Sequence, residues 1–172
     1  TGKKIQGLMV LGTLMRNTTK HHVTTQAITF AKVQLQALLK EGGLINDADI
    51  THLETKIIGL LGIYGLLRLN KILHVTKGSI KQSLLHRNMN DPIEVVYKWS
   101  TKTRVKGFTY HIPAQFRTAF LLYYSQLPDD LGDDDQFLCN YNHKSKKRSQ
   151  FLGINKVCRV PKFWATLLGI TD

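Results

Sequence analysis

The longest apolar stretch of the chain covers residues 54–73, where apolar side chains occupy almost every face of a helix. This pattern predicts a central helix about 30 Å long. Arg68 lies deep within the stretch, and Lys71 follows it in the sequence. An arginine on such a helix either extends its charged group to the surface or binds an anion. An ion pair with Glu54 or Asp49 is the alternative and would give Arg68 a structural role.

Three glycines, Gly59, Gly62 and Gly65, lie inside this predicted helix. Each lowers helix propensity by up to about 1 kcal/mol relative to alanine. Their presence therefore predicts that another helix or backbone segment packs closely at this point.

The rest of the chain is predicted to contain four more helices, four strands and the polar segments that connect them. Apolar residues recur at helical spacing in residues 4–16, 29–40, 114–126 and 154–168. β-Branched and aromatic side chains predict strands at residues 75–80, 93–99, 107–112 and 136–140. Polar residues predict a linker or loops at residues 17–26, 81–91, 127–135 and 144–148. We therefore expect a mainly helical α+β fold with a small antiparallel β-sheet, in which residues 93–112 form a β-hairpin.

The charge of the chain narrows the classes of partner. Lys and Arg number 24 against 12 Asp and Glu, which gives a net charge of +12. Such an excess favours a polyanionic partner, namely DNA, RNA or an anionic membrane, although a basic surface can also serve solubility alone. The uncharged run 57–67 is too short to span a bilayer, and the first residues do not form a signal peptide. A membrane partner is therefore not expected.

The sequence gives only weak evidence for a metal site. Cys139 and Cys158 lack metal-site spacing and are expected to be reduced thiols. His21 and His22 are adjacent in a polar linker and are read as solvated side chains rather than ligands. The five aspartates in residues 127–135 lack Ca²⁺-loop spacing and are expected to form turns and cap helices. We therefore expect no metal and no cofactor.

Three segments in this order resemble a known family. A buried helix ending Gly65-Leu66-Leu67-Arg68, then a strand, then a hairpin with Thr101-Lys102-Thr103 at its tip, resembles the first half of a tyrosine recombinase catalytic domain. Residues 28–39 resemble the helix that opens this domain. Residues 137–168 are most similar to the crypton-type recombinases of animals. Residues 25–172 would then form the N-terminal part of the catalytic domain, and residues 1–24 would resemble the last helix and linker of a preceding DNA-binding domain.

The resemblance implies double-stranded DNA as the partner and the nucleus as the location. In this family the residue at the position of Arg68 binds the scissile phosphate, and the residue at the position of Lys102 protonates the departing 5′ hydroxyl. Both roles suit the chemistry of a guanidinium and of a lysine on a hairpin. The further cations that we expect to contact DNA are Lys20, Lys71, Arg104, Lys106, Lys144, Lys146, Lys147 and Arg148.

The sequence also departs from the family pattern. Lys71 stands where the family usually carries an acid, and the sequence contains no His-x-x-Arg motif. Its six tyrosines read as core or strand residues, so no nucleophilic tyrosine is identified. We therefore expect a DNA-binding domain that is not catalytic as it stands, with an active recombinase completed beyond Asp172 as one alternative. A protein-interaction module built on the same scaffold, with a protein partner or a second copy, is the other.

Overall fold

The computed structural model describes residues 30–100 and 103–170, apart from the side chain of His86. Within this part the chain forms six α-helices: α1 (Lys32–Leu39), α2 (Ile50–Gly65), α3 (Leu69–Ile72), α4 (Lys77–His86), α5 (Arg117–Ser125) and α6 (Ile154–Leu167). It also forms four strands, β1 (Ile93–Ser100), β2 (Val105–Ile112), β3 (Cys139–Asn142) and β4 (Lys147–Phe151). The strands pair as two antiparallel hairpins, β1–β2 and β3–β4. The predicted α+β class is confirmed, with two small antiparallel sheets where one was expected.

The described residues divide into two compact units, one comprising residues 30–69 and 154–170 and the other residues 70–153. In the first unit, α2 is buried along almost its whole length and packs against α6. A Cβ atom at Gly59 would overlap the wholly buried indole of Trp164. The close packing predicted from the helix glycines is therefore confirmed at Gly59.

The prediction of one continuous helix over residues 54–73 is wrong. Helix α2 ends at Gly65, and Leu66 adopts the left-handed conformation, with φ of 50° and ψ of 34°. The backbone N–H of Leu67 then donates to the carbonyl of Gly62 over 3.2 Å, which closes the helix in a Schellman-type turn. Arg68 therefore lies after the end of α2 and before α3, rather than within a helix.

The predicted strand at residues 75–80 and the predicted loop at 81–91 are also wrong, because α4 occupies most of this segment. The Thr76 side chain accepts a hydrogen bond from the N–H of Ser79, and the Ser79 hydroxyl accepts one from the N–H of Thr76. This reciprocal capping box begins the helix. Local capping thus prevails over the β-branched composition that suggested a strand.

In the second unit α4 packs on β1, and the Ser83 hydroxyl accepts a hydrogen bond from the N–H of Glu94 over 2.7 Å. The wholly buried Arg117 of α5 joins the same elements. Its Nη1 donates to the carbonyl of Ser83 over 2.6 Å and its Nη2 to the carbonyl of Asp91 over 2.8 Å. A guanidinium beside the last carbonyls of a helix also complements the helix dipole. Arg117 therefore fixes the place where the β1–β2 hairpin leaves the body of the unit.

Candidate nucleic-acid interface

The β1–β2 hairpin extends from the packed part of the second unit with its outer strand exposed. Strand β2 is exposed from Val105 to Thr109 and becomes buried only at Tyr110. Its register pairs Trp99 with Lys106 and Tyr97 with Phe108. The predicted hairpin over residues 93–112 is thereby confirmed, and the side chains near its tip are available to a ligand.

Three cations lie on the described part of this hairpin. Lys98, Arg104 and Lys106 are all exposed. The sequence contains no Asp or Glu between Glu94 and Asp129, and Glu94 lies at the base of the hairpin, where it pairs with Arg87 over 3.2 Å. Because the hairpin beyond its base carries cations and no acid of its own, the exposed arm has a local excess of positive charge that suits a polyanion.

An aromatic ladder follows one face of the hairpin from the core toward the tip. The ring centroid of Tyr97 lies 5.4 Å from that of Phe108 and 5.6 Å from that of Trp99. The ring centroid of Tyr110 lies 5.8 Å from that of Phe108. The Tyr97 hydroxyl donates to the backbone carbonyl of Lys71 over 3.2 Å. Burial raises the pKa of both tyrosines, Tyr97 and Tyr110, so their hydroxyls stay neutral at ordinary pH. The ladder therefore adds no negative charge to the arm.

Arg68 lies in the first unit, exposed, in the turn that follows α2. The acids considered as structural partners are engaged elsewhere: Glu54 pairs with Lys156 over 2.7 Å, and the Asp49 side chain caps α2 by accepting from the N–H of His52 over 2.9 Å. The side chain of Arg68 forms no ion pair and no hydrogen bond with residues 30–100 and 103–170. Its guanidinium is thus available to an anion.

The other lysines that were expected to contact DNA differ in their location and exposure. Lys71 lies in α3 and is half-buried. Lys20 and Lys102 lie outside the described residues. Lys144 and Lys146 are exposed in the turn between β3 and β4, so they remain candidates for phosphate contact.

Lys147 and Arg148 lie in strand β4 rather than in a loop. Lys147 pairs with Asp129, and this lysine holds the pKa of the Asp129 carboxyl below its usual value. The lysine charge is therefore largely offset by its own acid.

The expectation that Arg148 contacts DNA is wrong, because its side chain is only 1% exposed. The guanidinium lies 3.8 Å from the centre of the Tyr123 ring, and its Nη1 donates to the carbonyl of Cys139 over 2.8 Å. Its Nε donates to the Gln126 side chain over 3.1 Å. Arg148 therefore holds β3, β4 and α5 together, and its charge is not presented to a ligand.

Sequence reasoning missed Lys98 and the exposed part of the aromatic ladder, Trp99 and Phe108. β-Branched and aromatic composition identified the strands, but composition alone does not distinguish the core face of a hairpin from its outer face. The absence of acids between Glu94 and Asp129 was the signal that could have marked the arm.

Comparisons of the chain with protein-family models, with curated proteins and with solved structures find no match. No helix in the part of the chain that the structure describes is long and apolar enough to cross a bilayer. In the same residues, no group of three or more His, Cys, Asp or Glu is placed to hold a metal ion. The family therefore stands as a resemblance.

Proposed function

We propose that this chain binds double-stranded DNA as a tyrosine-recombinase-like domain. The observation that carries the proposal is the exposed arm of the β1–β2 hairpin, where Lys98 and Lys106 are exposed and the sequence holds no acid between Glu94 and Asp129. Lysine and arginine side chains contact phosphates without regard to base sequence, and so they position a protein on a duplex. Nuclear localisation follows from this proposal as an expectation.

Arg68 supplies the second support for the proposal. Its exposed guanidinium follows directly after a helix end that the Schellman-type turn holds in place. Paired N–H donors suit the oxygens of a phosphate. Under the recombinase-like interpretation Arg68 binds the phosphate that the family cleaves. The activity proposed for this chain is binding, because its sequence carries no His-x-x-Arg motif.

The test is a fluorescence-anisotropy titration of the chain with a short labelled duplex at two salt concentrations. Contact with about four phosphates predicts an affinity loss on the order of 100-fold between about 50 and 200 mM salt. The double substitution Arg104→Ala/Lys106→Ala should weaken binding and reduce the salt slope by about 2. Lys162→Ala is the matched control, since Lys162 is exposed on α6 and away from the hairpin sequence. Absence of binding at low salt would refute the proposal.

A protein-interaction module is the second candidate, and exposed apolar side chains favour it. Val33 is 74% exposed, and Leu44 and Leu66 are exposed as well. Each such side chain would lose apolar surface to a partner chain that covered it, which favours association. Substituting Arg68 and Lys106 by alanine would leave binding of a protein partner intact while weakening DNA binding. A monodisperse monomer that retains no protein partner would count against this candidate.

A further inference from the structure

We propose that the aromatic face of the β1–β2 hairpin stacks on unpaired nucleobases. The preferred ligand is then DNA that carries an unpaired base next to duplex, rather than an uninterrupted duplex. This inference rests on the proposed DNA binding and specifies what the same hairpin recognises.

The register of the hairpin places the relevant side chains on one face. Directly opposed residues of an antiparallel pair point to the same side, and so do residues two positions apart on one strand. Tyr97, Trp99, Phe108 and Lys106 therefore share a face. The rings of Trp99 and Phe108 meet edge to face at 6.0 Å between centroids. They form the outer end of a ladder whose inner end is buried.

The inner rings of the ladder are buried and its outer rings are more exposed, so the outer rings can contact a ligand. Tyr97 and Tyr110 are buried, whereas Phe108 is 41% exposed and Trp99 is half-buried. The inner rings account for the packing of the hairpin against its unit. The exposed surface of the outer rings adds nothing to that packing, and an aromatic ring accessible to solvent is a typical stacking platform.

The chemistry beside these rings selects a nucleobase over another planar group. Lys106 lies directly across from Trp99 on the same face, and Arg104 precedes it in the turn, whereas Lys98 lies on the opposite face by register. A nucleotide offers a flat π-face together with a phosphate, so one ligand can satisfy both the ring and the cations. Single-strand binding proteins combine aromatic platforms and basic residues in this way.

Stacking on the ladder requires a base whose face is open. In an uninterrupted duplex both faces of each base are covered by its neighbours, and only base edges and phosphates are reachable. An extruded or bulged base exposes its face at little further unstacking cost. The ligand class that fits the whole arm is therefore duplex DNA interrupted by an unpaired base.

The experiment compares the full chain on two labelled DNAs with the same base pairs, one a continuous duplex and one with a single unpaired thymine inserted in one strand. We expect the DNA with the unpaired base to bind about tenfold more tightly. Trp99 fluorescence should be quenched on binding that DNA, since stacking brings the base against the indole. Trp164, the other tryptophan, is wholly buried and should not respond.

Phe108→Leu is the informative variant, because it keeps an apolar side chain and removes the π-face. It should lose the preference for the unpaired base while its affinity for continuous duplex stays within about twofold. Val105→Ala is the control: Val105 is 73% exposed, lies on the opposite face by register and has no ring. Thermal melts of both variants check that the hairpin is folded.

The outcomes separate this inference from the proposed function. Equal affinity for the two DNAs, or absence of quenching, refutes base stacking and leaves duplex binding standing. Failure to bind either DNA at low salt refutes DNA binding itself and the stacking inference with it. Quenching by a polyglutamate peptide without quenching by DNA would assign the face to an acidic protein partner and would also overturn the inference.

Discussion

The substitution Gly59→Ala tests the closest helix contact in the first unit. A methyl group at Gly59 would overlap Cη2 and Cζ2 of the Trp164 indole, at separations that real Cβ atoms do not show. The indole is wholly buried, so it cannot turn into solvent without opening the core. The added methyl must therefore displace either the ring or the whole of α6.

Two opposing terms decide the magnitude. Alanine gains about 1 kcal/mol over glycine in helix propensity. Overpacking a filled core costs about 1–3 kcal/mol, and expelling a tryptophan that buries about 200 Å² would cost about 5 kcal/mol at 25 cal/mol per Å². Because the contact is with the rigid ring and not with a flexible side-chain end, the packing term is at the upper end. We expect a net destabilisation of about 2 kcal/mol.

Urea unfolding followed by far-UV circular dichroism measures this change. Gly153→Ala is the control, since no atom lies within 4 Å of the Cβ position at Gly153, and its free energy of unfolding should stay within about 0.5 kcal/mol of the parent. Adding Trp164→Phe to Gly59→Ala removes part of the overlap and should give a favourable coupling energy of about 1 kcal/mol. If Gly59→Ala is as stable as the parent chain, helix propensity prevails and the close approach of Trp164 is refuted.

Three further predictions concern single side chains. Leu66→Gly relieves the left-handed conformation and should raise the free energy of unfolding by about 1 kcal/mol in urea titrations; a loss would contradict the strain. Arg117→Met leaves backbone carbonyls unpaired and should lower the same quantity by about 3 kcal/mol, so an unchanged midpoint would show that Arg117 is dispensable. Burial raises the pKa of the Cys139 thiol to about 11, so iodoacetamide near pH 8 should label Cys158 first, and early labelling of Cys139 by peptide mapping would contradict its burial.

The sequence predicts those elements whose signal is local. Strands β1 and β2 alternate between apolar or aromatic and polar residues on either side of a polar turn, and both were located within a few residues. Helix α6 was also located, although Pro161 lies inside it. In these segments periodicity and composition agree, so no tertiary information is needed.

The break after α2 could not be predicted in the same way. The usual signal for this helix end is a glycine in the left-handed position, and here that position holds Leu66, while Gly65 stands one residue earlier. Apolar spacing continues through Leu67 and Leu69, which are both buried. The pattern therefore reads as one helix although the backbone turns, and the position of Arg68 depends on that turn.

The charged residues show why basic composition and basic surface differ. The run from Lys144 to Arg148 holds four cations, yet Asp129 pairs with Lys147 and the fold buries Arg148. Two of the four charges thus face solvent without a paired acid among the described residues. On the β1–β2 hairpin, by contrast, Lys98 and Lys106 are both exposed, and the adjoining sequence offers no acid. Coulombic attraction to a phosphate depends on the charge that remains unpaired near the surface. The hairpin, in which the cations are more widely spaced in sequence, therefore offers as many exposed cations for contact with DNA as the denser run 144–148.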